Sequence, residues 1–154
     1  MAPRVEVLGV GSLHRDLVPA AQHYVDLLRP LVDLRMREVK EVSLRGRAEA
    51  EVLREESRRL FTAWPQVPVV AALAVDGRTL ATEAFAQWFE RALLRGGVAF
   101  VIGGSLGLAP EALARADDRL SLSALTLPHQ LARVVLLEQI FRASKILRRE
   151  TYHH

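Results

Sequence analysis

The sequence predicts an α/β fold with a mostly parallel sheet flanked by helices. Residues 67–75 and 98–102 form nearly continuous apolar runs, as expected for strands that are covered on both faces. Segments with helical spacing alternate with these and other strand-like segments, which is the order that places parallel strands side by side. Because 154 residues fit one domain and no linker or repeat is evident, we expect a single domain over residues 1–154.

Individual elements follow from periodicity and from the residues that end each segment. Pro30 should end the first helix, Asp76-Gly77 should form a turn, Thr82 should cap the third helix and Pro110 should open the fourth. Strands are expected at residues 5–10, 34–42, 67–75, 98–102 and 120–123, and helices at 17–28, 47–61, 82–94, from 110 and at 130–148.

The composition indicates a globular cytoplasmic protein. Half of the residues are hydrophobic and a quarter are charged. No apolar run approaches the roughly 20 residues that span a bilayer, and the first residues lack the apolar segment of a secretory signal. The absence of cysteine excludes disulfides, a thiolate nucleophile and cysteine-based zinc sites, and the five histidines show no metal-ligand spacing, so we expect no metal. A net charge of +3 permits a polyanionic partner without requiring one.

The last predicted helix is apolar on more than one side. A helix on the outside of a monomeric sheet should carry a single apolar stripe. A domain of this size does not easily enclose a helix that is apolar all round, so the pattern favours a subunit interface. The apolar positions are Leu131, Val134, Val135, Leu136, Leu137, Ile140, Phe141, Ile146 and Leu147.

Two segments have the composition of a ligand site. Gly103, Gly104 and Gly107 follow a buried strand and let a ligand approach the backbone, although a tight loop without a ligand would use the same glycines. Residues 122–129 then alternate apolar residues with Ser123 and Thr126. An apolar loop at a sheet edge is costly unless a flat ligand such as adenine covers it, or unless it packs beneath the final helix.

Cations and aromatic or titratable side chains cluster at the end of the chain. Arg142, Lys145, Arg148 and Arg149 are three or four residues apart and form one helix face, which is most often only solvated. Tyr152, His153 and His154 follow. An aromatic ring beside cations can stack on a base while the cations bind phosphates. An alternative interpretation of the terminal histidines is the remnant of a purification tag.

A dinucleotide site near the start of the chain has weaker support. Gly9-Val10-Gly11 follows a strand, but His14 stands where the fingerprint has its third glycine, and no persuasive acidic residue ends the second strand to hold a ribose. The pattern favours a plain turn. The hypothesis of a nucleotide-dependent oxidoreductase would depend on Gly9 and Gly11 alone.

A dense set of motifs runs from residue 102 to the end. It comprises Ile102-Gly103-Gly104, Gly107-Leu108, Leu120-Ser121-Leu122-Ser123-Ala124-Leu125-Thr126-Leu127-Pro128-His129-Gln130-Leu131, Arg133, Glu138-Gln139-Ile140-Phe141-Arg142-Ala143 and Tyr152-His153. This set strongly resembles the RlmH family of SPOUT-class methyltransferases, which modify N3 of a pseudouridine in large-subunit ribosomal RNA. The match is thinner but in register earlier, at residues 5–11, Leu73, Gly77 and residues 83–86.

The resemblance implies a C-terminal trefoil knot that binds S-adenosylmethionine, and a homodimer in which one subunit's cofactor pocket meets the other's tail. The expected substrate is ribosomal RNA within a ribosomal particle. Carried over by position, the cofactor contacts are Leu73, Gly103, Gly104, Leu122, Ser123, Ala124, Leu125, Thr126 and Leu127. The expected RNA contacts are His129, Arg133, Lys145, Arg148, Arg149 and His154.

For methyl transfer to a ring nitrogen, residue type suggests three catalytic roles. His153 would remove the nitrogen proton, because an imidazole titrates near neutral pH. Arg142 would stabilise charge that develops on the neighbouring carbonyl oxygen. Tyr152 would stack on the base or orient it.

The chain departs from the family pattern at several positions. The family usually has other residue types where this chain has Ser105-Leu106, Ala74 and Thr151. It usually has a cation where this chain has His154. The Ser105-Leu106 and Thr151 departures suit an alternative, a non-catalytic RNA-binding or ribosome-assembly factor that has kept the fold.

Overall fold

A five-stranded sheet forms the centre of the fold. The computed structural model describes residues 1–152. The strands are β1 (Arg4–Val10), β2 (Asp33–Val39), β3 (Val69–Thr79), β4 (Val98–Ile102) and β5 (Asp118–Ser121), in the spatial order β2-β1-β4-β3-β5. All four strand pairs within residues 1–152 are parallel, which confirms the predicted α/β class. The trefoil knot stays a prediction.

Helices cover both faces of this sheet. They are α1 (Val18–Leu28), α2 (Glu49–Thr62), α3 (Thr82–Leu94), α4 (Pro110–Arg115) and α5 (His129–Leu147). The main core lies where α1, α3 and α5 pack on one face, around residues such as Phe89, Phe100 and Ile140. A smaller core on the other face joins Leu60 of α2 to β1, β3 and β4. None of the helices within residues 1–152 is long and apolar enough to cross a bilayer.

Most predicted elements match, but the predicted turn at Asp76-Gly77 is wrong. Strand β3 continues through both residues to Thr79, and Leu73 and Arg78 both pair with Leu120 of β5. Residues 74–77 therefore form an irregularity in the strand pair. A Cβ atom on Gly77 would lie 2.6 Å from the carbonyl carbon of Leu120, so this glycine permits a close backbone approach.

The predicted ends of other elements shift by a few residues. Strand β2 ends at Val39, β5 spans 118–121 instead of 120–123, and α5 begins at His129. The predicted cap at Thr82 is also wrong, because Ala81 precedes the first turn of α3 and no side chain caps it. The Thr82 hydroxyl donates to Oε1 of Gln139 at 3.1 Å and so joins α3 to α5.

Helix α5 is largely enclosed by its own chain. Leu136, Leu137 and Ile140 are fully buried between the sheet and the neighbouring helices α1 and α3. The argument that the domain is too small to enclose this helix is therefore wrong. Leu131, at 39% exposure, is the large apolar side chain of α5 that remains on the surface of the described chain.

Candidate functional site

A cleft of about 620 Å³ opens at the carboxyl ends of β3, β4 and β5. Ligands of open parallel sheets bind at this edge, and pockets of roughly 300–1,000 Å³ accommodate ligands of nucleoside size. Apolar side chains and backbone form most of the walls. The lining residues are Leu73 to Asp76, Ile102 to Leu108, Leu113, Leu120 to Ser123, Leu125 to His129 and Ala132.

One wall is the glycine turn at residues 103–107. A Cβ atom on Gly103 would collide with the backbone of Gly107. Gly104 pairs with Gly107 in an isolated bridge, and Gly107 has φ +76°, a left-handed conformation that favours glycine. The geometry of the turn itself thus explains Gly103 and Gly107, and Leu106 is the bulky side chain that the turn contributes to the wall of the cleft.

The opposite wall is the apolar segment that follows β5. Two serines fix its shape, because Ser121 Oγ donates to the carbonyl of Ser123 at 2.8 Å and Ser123 Oγ accepts from the amide of Leu125 at 2.9 Å. Leu122 packs against the main core, whereas Leu125 is 77% exposed. The chain therefore covers this segment only in part.

The structure brings most of the predicted cofactor residues together. Ala124 is the exception, since it is exposed and does not line the cleft. His129, predicted to contact RNA, lies in the cleft wall at the start of α5, and Ala74, Ser105 and Leu106, where the chain departs from the family pattern, line the cleft as well. The predicted cofactor residues in the lining are Leu73, Gly103, Gly104, Leu122, Ser123, Leu125, Thr126 and Leu127.

A buried carboxylate lies next to the glycine turn. Glu56 of α2 is 5% exposed, and its Oε2 accepts the amide of Val42 at 3.1 Å. A Cβ atom on Gly104 would lie 3.6 Å from Glu56 Oε1. Burial raises the pKa of Glu56, and the neighbouring Glu41 carboxylate adds to the rise. Sequence reasoning missed this residue, although Val52, Glu56 and Leu60 share the buried face of α2.

A second group of functional side chains lies at the end of α5. In this tail cluster of Glu138, Arg142 and Tyr152, Arg142 Nε and Nη2 donate to Glu138 Oε1 at 3.0 and 2.6 Å. The guanidinium carbon lies 4.7 Å from the centre of the Tyr152 ring, and the Tyr152 hydroxyl donates to Glu138 Oε1 at 3.5 Å. Glu138 thus holds together two residues that were predicted separately.

Burial and the Glu138 carboxylate shift the pKa values of both predicted residues in the tail cluster. The hydrogen bond from Arg142 to Glu138 raises the pKa of Arg142. Burial and the Glu138 carboxylate raise the pKa of Tyr152. At neutral pH Arg142 is a cation and Tyr152 is a phenol, so Tyr152 can stack or donate a hydrogen bond but does not act as a base.

The tail cluster and the cleft are separate within one chain, because neither Arg142 nor Tyr152 lines the cleft. The predicted base His153 and the predicted RNA contact His154 lie outside the described residues. Within residues 1–152, one chain therefore does not bring Arg142 and Tyr152 to the predicted cofactor residues.

The predicted basic face interacts with an acidic residue that sequence reasoning missed. Lys145 Nζ forms an ion pair with Glu150, and Arg148 Nη1 lies 3.6 Å from Glu150 Oε1. The hydrogen bond from Lys145 lowers the pKa of Glu150. Arg148 and Arg149 are exposed. RNA contact by these cations stays a prediction.

The prediction that Arg133 contacts RNA is wrong for this chain. Its side chain is 2% exposed and donates to Glu38 Oε2 at 2.5 Å and to the carbonyls of Val10 and Gly11 at 3.3 and 3.1 Å. Gly9 makes room for it, since a Cβ atom there would lie 2.5 Å from Arg133 Nη2. Gly9 therefore accommodates a buried arginine, and Gly11 lies in a turn.

Comparison with known proteins agrees with this geometry. Residues 4–153 match the family described as predicted SPOUT methyltransferase, and the chain belongs to that family. It is 45% identical to the ribosomal RNA large subunit methyltransferase H of Rubrobacter xylanophilus, with 99% of each chain covered. It is 43% identical to the protein of that name from Anaeromyxobacter sp. (strain K), with 97% of this chain and 99% of the relative covered.

Solved structures support the fold. The probable methyltransferase of Bordetella pertussis superimposes with a TM-score of 0.62 at 17% identity, covering 92% of this chain and 96% of the other. The probable methylase family protein of Haemophilus influenzae gives a TM-score of 0.59 at 14% identity, covering 100% of this chain and 72% of the other.

Within residues 1–152, no group of three or more histidine, aspartate or glutamate side chains is arranged to hold a metal ion.

The buried position of Arg133 yields a stability prediction. We expect Arg133→Met to lower the free energy of unfolding by about 2–4 kcal/mol, because it leaves two buried carbonyls without their donor and a poorly filled space. The matched control, Arg148→Met, replaces an exposed arginine directly after the same helix and should change it by less than about 0.5 kcal/mol. Urea unfolding measures both. Equal stability of Arg133→Met and the wild type would restore Arg133 to the candidates for RNA contact.

Proposed function

We propose that this chain transfers a methyl group from S-adenosylmethionine to N3 of a pseudouridine in large-subunit ribosomal RNA. The observation that carries the proposal is the cleft itself, in which the glycine turn faces the apolar segment after β5. Membership of the SPOUT methyltransferase family and relatives named as ribosomal RNA large subunit methyltransferase H support the same chemistry.

The cleft fits the adenosyl part of the cofactor in size and composition. A flat, largely apolar ring system with a polar edge needs apolar walls and backbone groups within reach. Leu122, Leu125 and Leu127 supply apolar side chains, of which Leu125 is exposed, and the turn at residues 103–107 supplies close backbone. We therefore assign cofactor binding to these two segments together with Leu73.

When bound, the cofactor supplies an electrophilic methyl group, so the protein must orient the ring nitrogen and accept its proton. We propose His153 as the proton acceptor. Tyr152, as a neutral phenol, would stack on or orient the uracil-type ring. Arg142, held by Glu138, would stabilise negative charge on the adjacent carbonyl oxygen.

We further propose that the active site is completed by a second copy of the chain in a homodimer. Two features support this arrangement. Within residues 1–152 of one chain, Arg142 and Tyr152 do not meet the residues proposed for cofactor binding. Apolar side chains also stay exposed near the cleft, with Val75 at 78% and Leu125 at 77%. The partner's tail would cover the cleft and bring its own Tyr152 and His153 to the methyl group.

Two other properties belong to the proposal. Selecting a single nucleotide would depend on the surroundings of a ribosomal particle, since a chain of 154 residues with a net charge of +3 has little basic surface for choosing a site in free RNA. Such a substrate would place the protein in the cytoplasm.

Methyl transfer tests the activity directly. With labelled S-adenosylmethionine and large-subunit particles that lack the modification, we expect the wild type to label one pseudouridine, which nucleotide mapping would locate. Free ribosomal RNA is the comparison substrate and should accept much less label. Absence of transfer to particles, despite measurable cofactor binding, would contradict the proposed activity.

Mixed subunits test the composite site. Thr126→Trp should block the cleft, because Thr126 is exposed and lines it, and Arg142→Ala should disable the tail cluster. Neither variant should be active alone. Random mixed dimers should recover about a quarter of wild-type activity, because about half of the dimers are mixed and each of those has one intact site out of two.

The two variants share the same mixing protocol, so each homodimer taken through it serves as the control. A site built from a single chain would give no recovery, since every chain in the mixture carries one of the two defects.

A further inference from the structure

The irregular part of β3 brings a carboxylate to the cleft. Because Leu73 and Arg78 both pair with Leu120, residues 74–77 depart from the regular ladder, and Asp76 lines the cleft. The base of this bulge is fixed, since Gly77 lies directly against the backbone of Leu120. The position of Asp76 is thus set by the sheet and does not depend on a long loop.

Asp76 gives the cleft its charge. Within the described residues that line the cleft, Asp76 is the only carboxylate, and no lysine or arginine lies among them. His129 is the other titratable lining residue. A single negative side chain without a fixed cation beside it attracts a positively charged group of a ligand in the cleft.

The neighbouring aspartates are already engaged within the fold. Asp117 Oδ2 accepts the amide of Val70 at 2.8 Å. Asp118 Oδ2 accepts from Arg78 at 2.5 Å and from the Trp88 indole at 3.0 Å. Burial alone would raise the pKa of Asp118, but these hydrogen bonds outweigh burial and lower it. Arg78, the cation nearest in sequence to Asp76, is thus paired with Asp118.

Asp76 itself is exposed, and no hydrogen bond or ion pair within residues 1–152 involves its carboxylate. Its acceptor oxygens therefore remain available to a ligand in the cleft. A carboxylate binds most strongly to a group that offers both positive charge and N–H donors.

We propose that Asp76 binds the ammonium group of the methionine part of S-adenosylmethionine, an assignment that rests on the proposed function. The cofactor carries two cationic groups, a sulfonium and an ammonium. Only the ammonium has hydrogens to donate, so it alone forms a charge-assisted hydrogen bond with a carboxylate. Asp76 would thereby select an amino-acid-bearing nucleoside over a plain one.

Three ligands separate the two cationic groups in a calorimetric titration. S-adenosylmethionine carries both, S-adenosylhomocysteine keeps only the ammonium, and 5′-methylthioadenosine has neither. We expect Asp76→Asn to weaken binding of the first two by about five- to tenfold, equally for both, and to leave the third unchanged. The loss should shrink at high salt, because the pair is exposed.

Glu111→Gln is the matched control, since Glu111 is an exposed acid on α4 that does not line the cleft. It removes the same net charge and should leave all three affinities unchanged. Urea unfolding of each variant checks that the fold is intact.

Other outcomes overturn the assignment. A loss confined to S-adenosylmethionine would point to the sulfonium, and an equal loss for all three ligands would make Asp76 a structural residue. If Asp76→Asn left all affinities unchanged, only the assignment of Asp76 would be overturned. If the wild type bound none of the three ligands, the proposed cofactor would be overturned as well.

Discussion

Pairing of β3 with β5 around Leu120 is the interaction on which the site depends. Two residues of β3 pair with this one residue of β5, and Gly77 allows the backbones to approach closely enough for it. The pairing places the bulge of β3 and the segment after β5 at the same edge of the sheet. With the glycine turn that follows β4, these segments surround one cleft. The cleft therefore follows from strand order and one close contact.

The separation of the tail cluster from the cleft follows from the direction of α5. This helix starts in the cleft wall at His129, and its last turns carry the tail cluster, so its 19 residues lead the chain away from the cleft. A rise of about 1.5 Å per residue makes such a helix nearly 30 Å long. Within residues 1–152 neither Arg142 nor Tyr152 lines the cleft, which is why we propose a second chain as the source of these groups.

The sequence predicted those features that depend on neighbouring residues, and it did not predict those that depend on contacts between residues distant in the chain. Strand β4 was predicted to the residue because a central parallel strand is apolar throughout. The Asp76-Gly77 turn was wrong because this dipeptide usually marks a turn, and only the distant Leu120 reveals another use for the glycine. Arg133 could not be placed from sequence either, since its partner carbonyl at Val10 is 123 residues away. Glu56 was missed because a single carboxylate on a highly charged helix gives no signal of burial.

Hydrogen–deuterium exchange of the wild type, with and without S-adenosylmethionine, tests most directly whether the cleft binds the cofactor. The account predicts that bound cofactor slows amide exchange in residues 73–76, 103–107 and 122–127, which border the cleft. Exchange around Gly9 and Gly11 should stay unchanged. Protection confined to that early turn, or no change in the three cleft segments under saturating cofactor, would contradict the account.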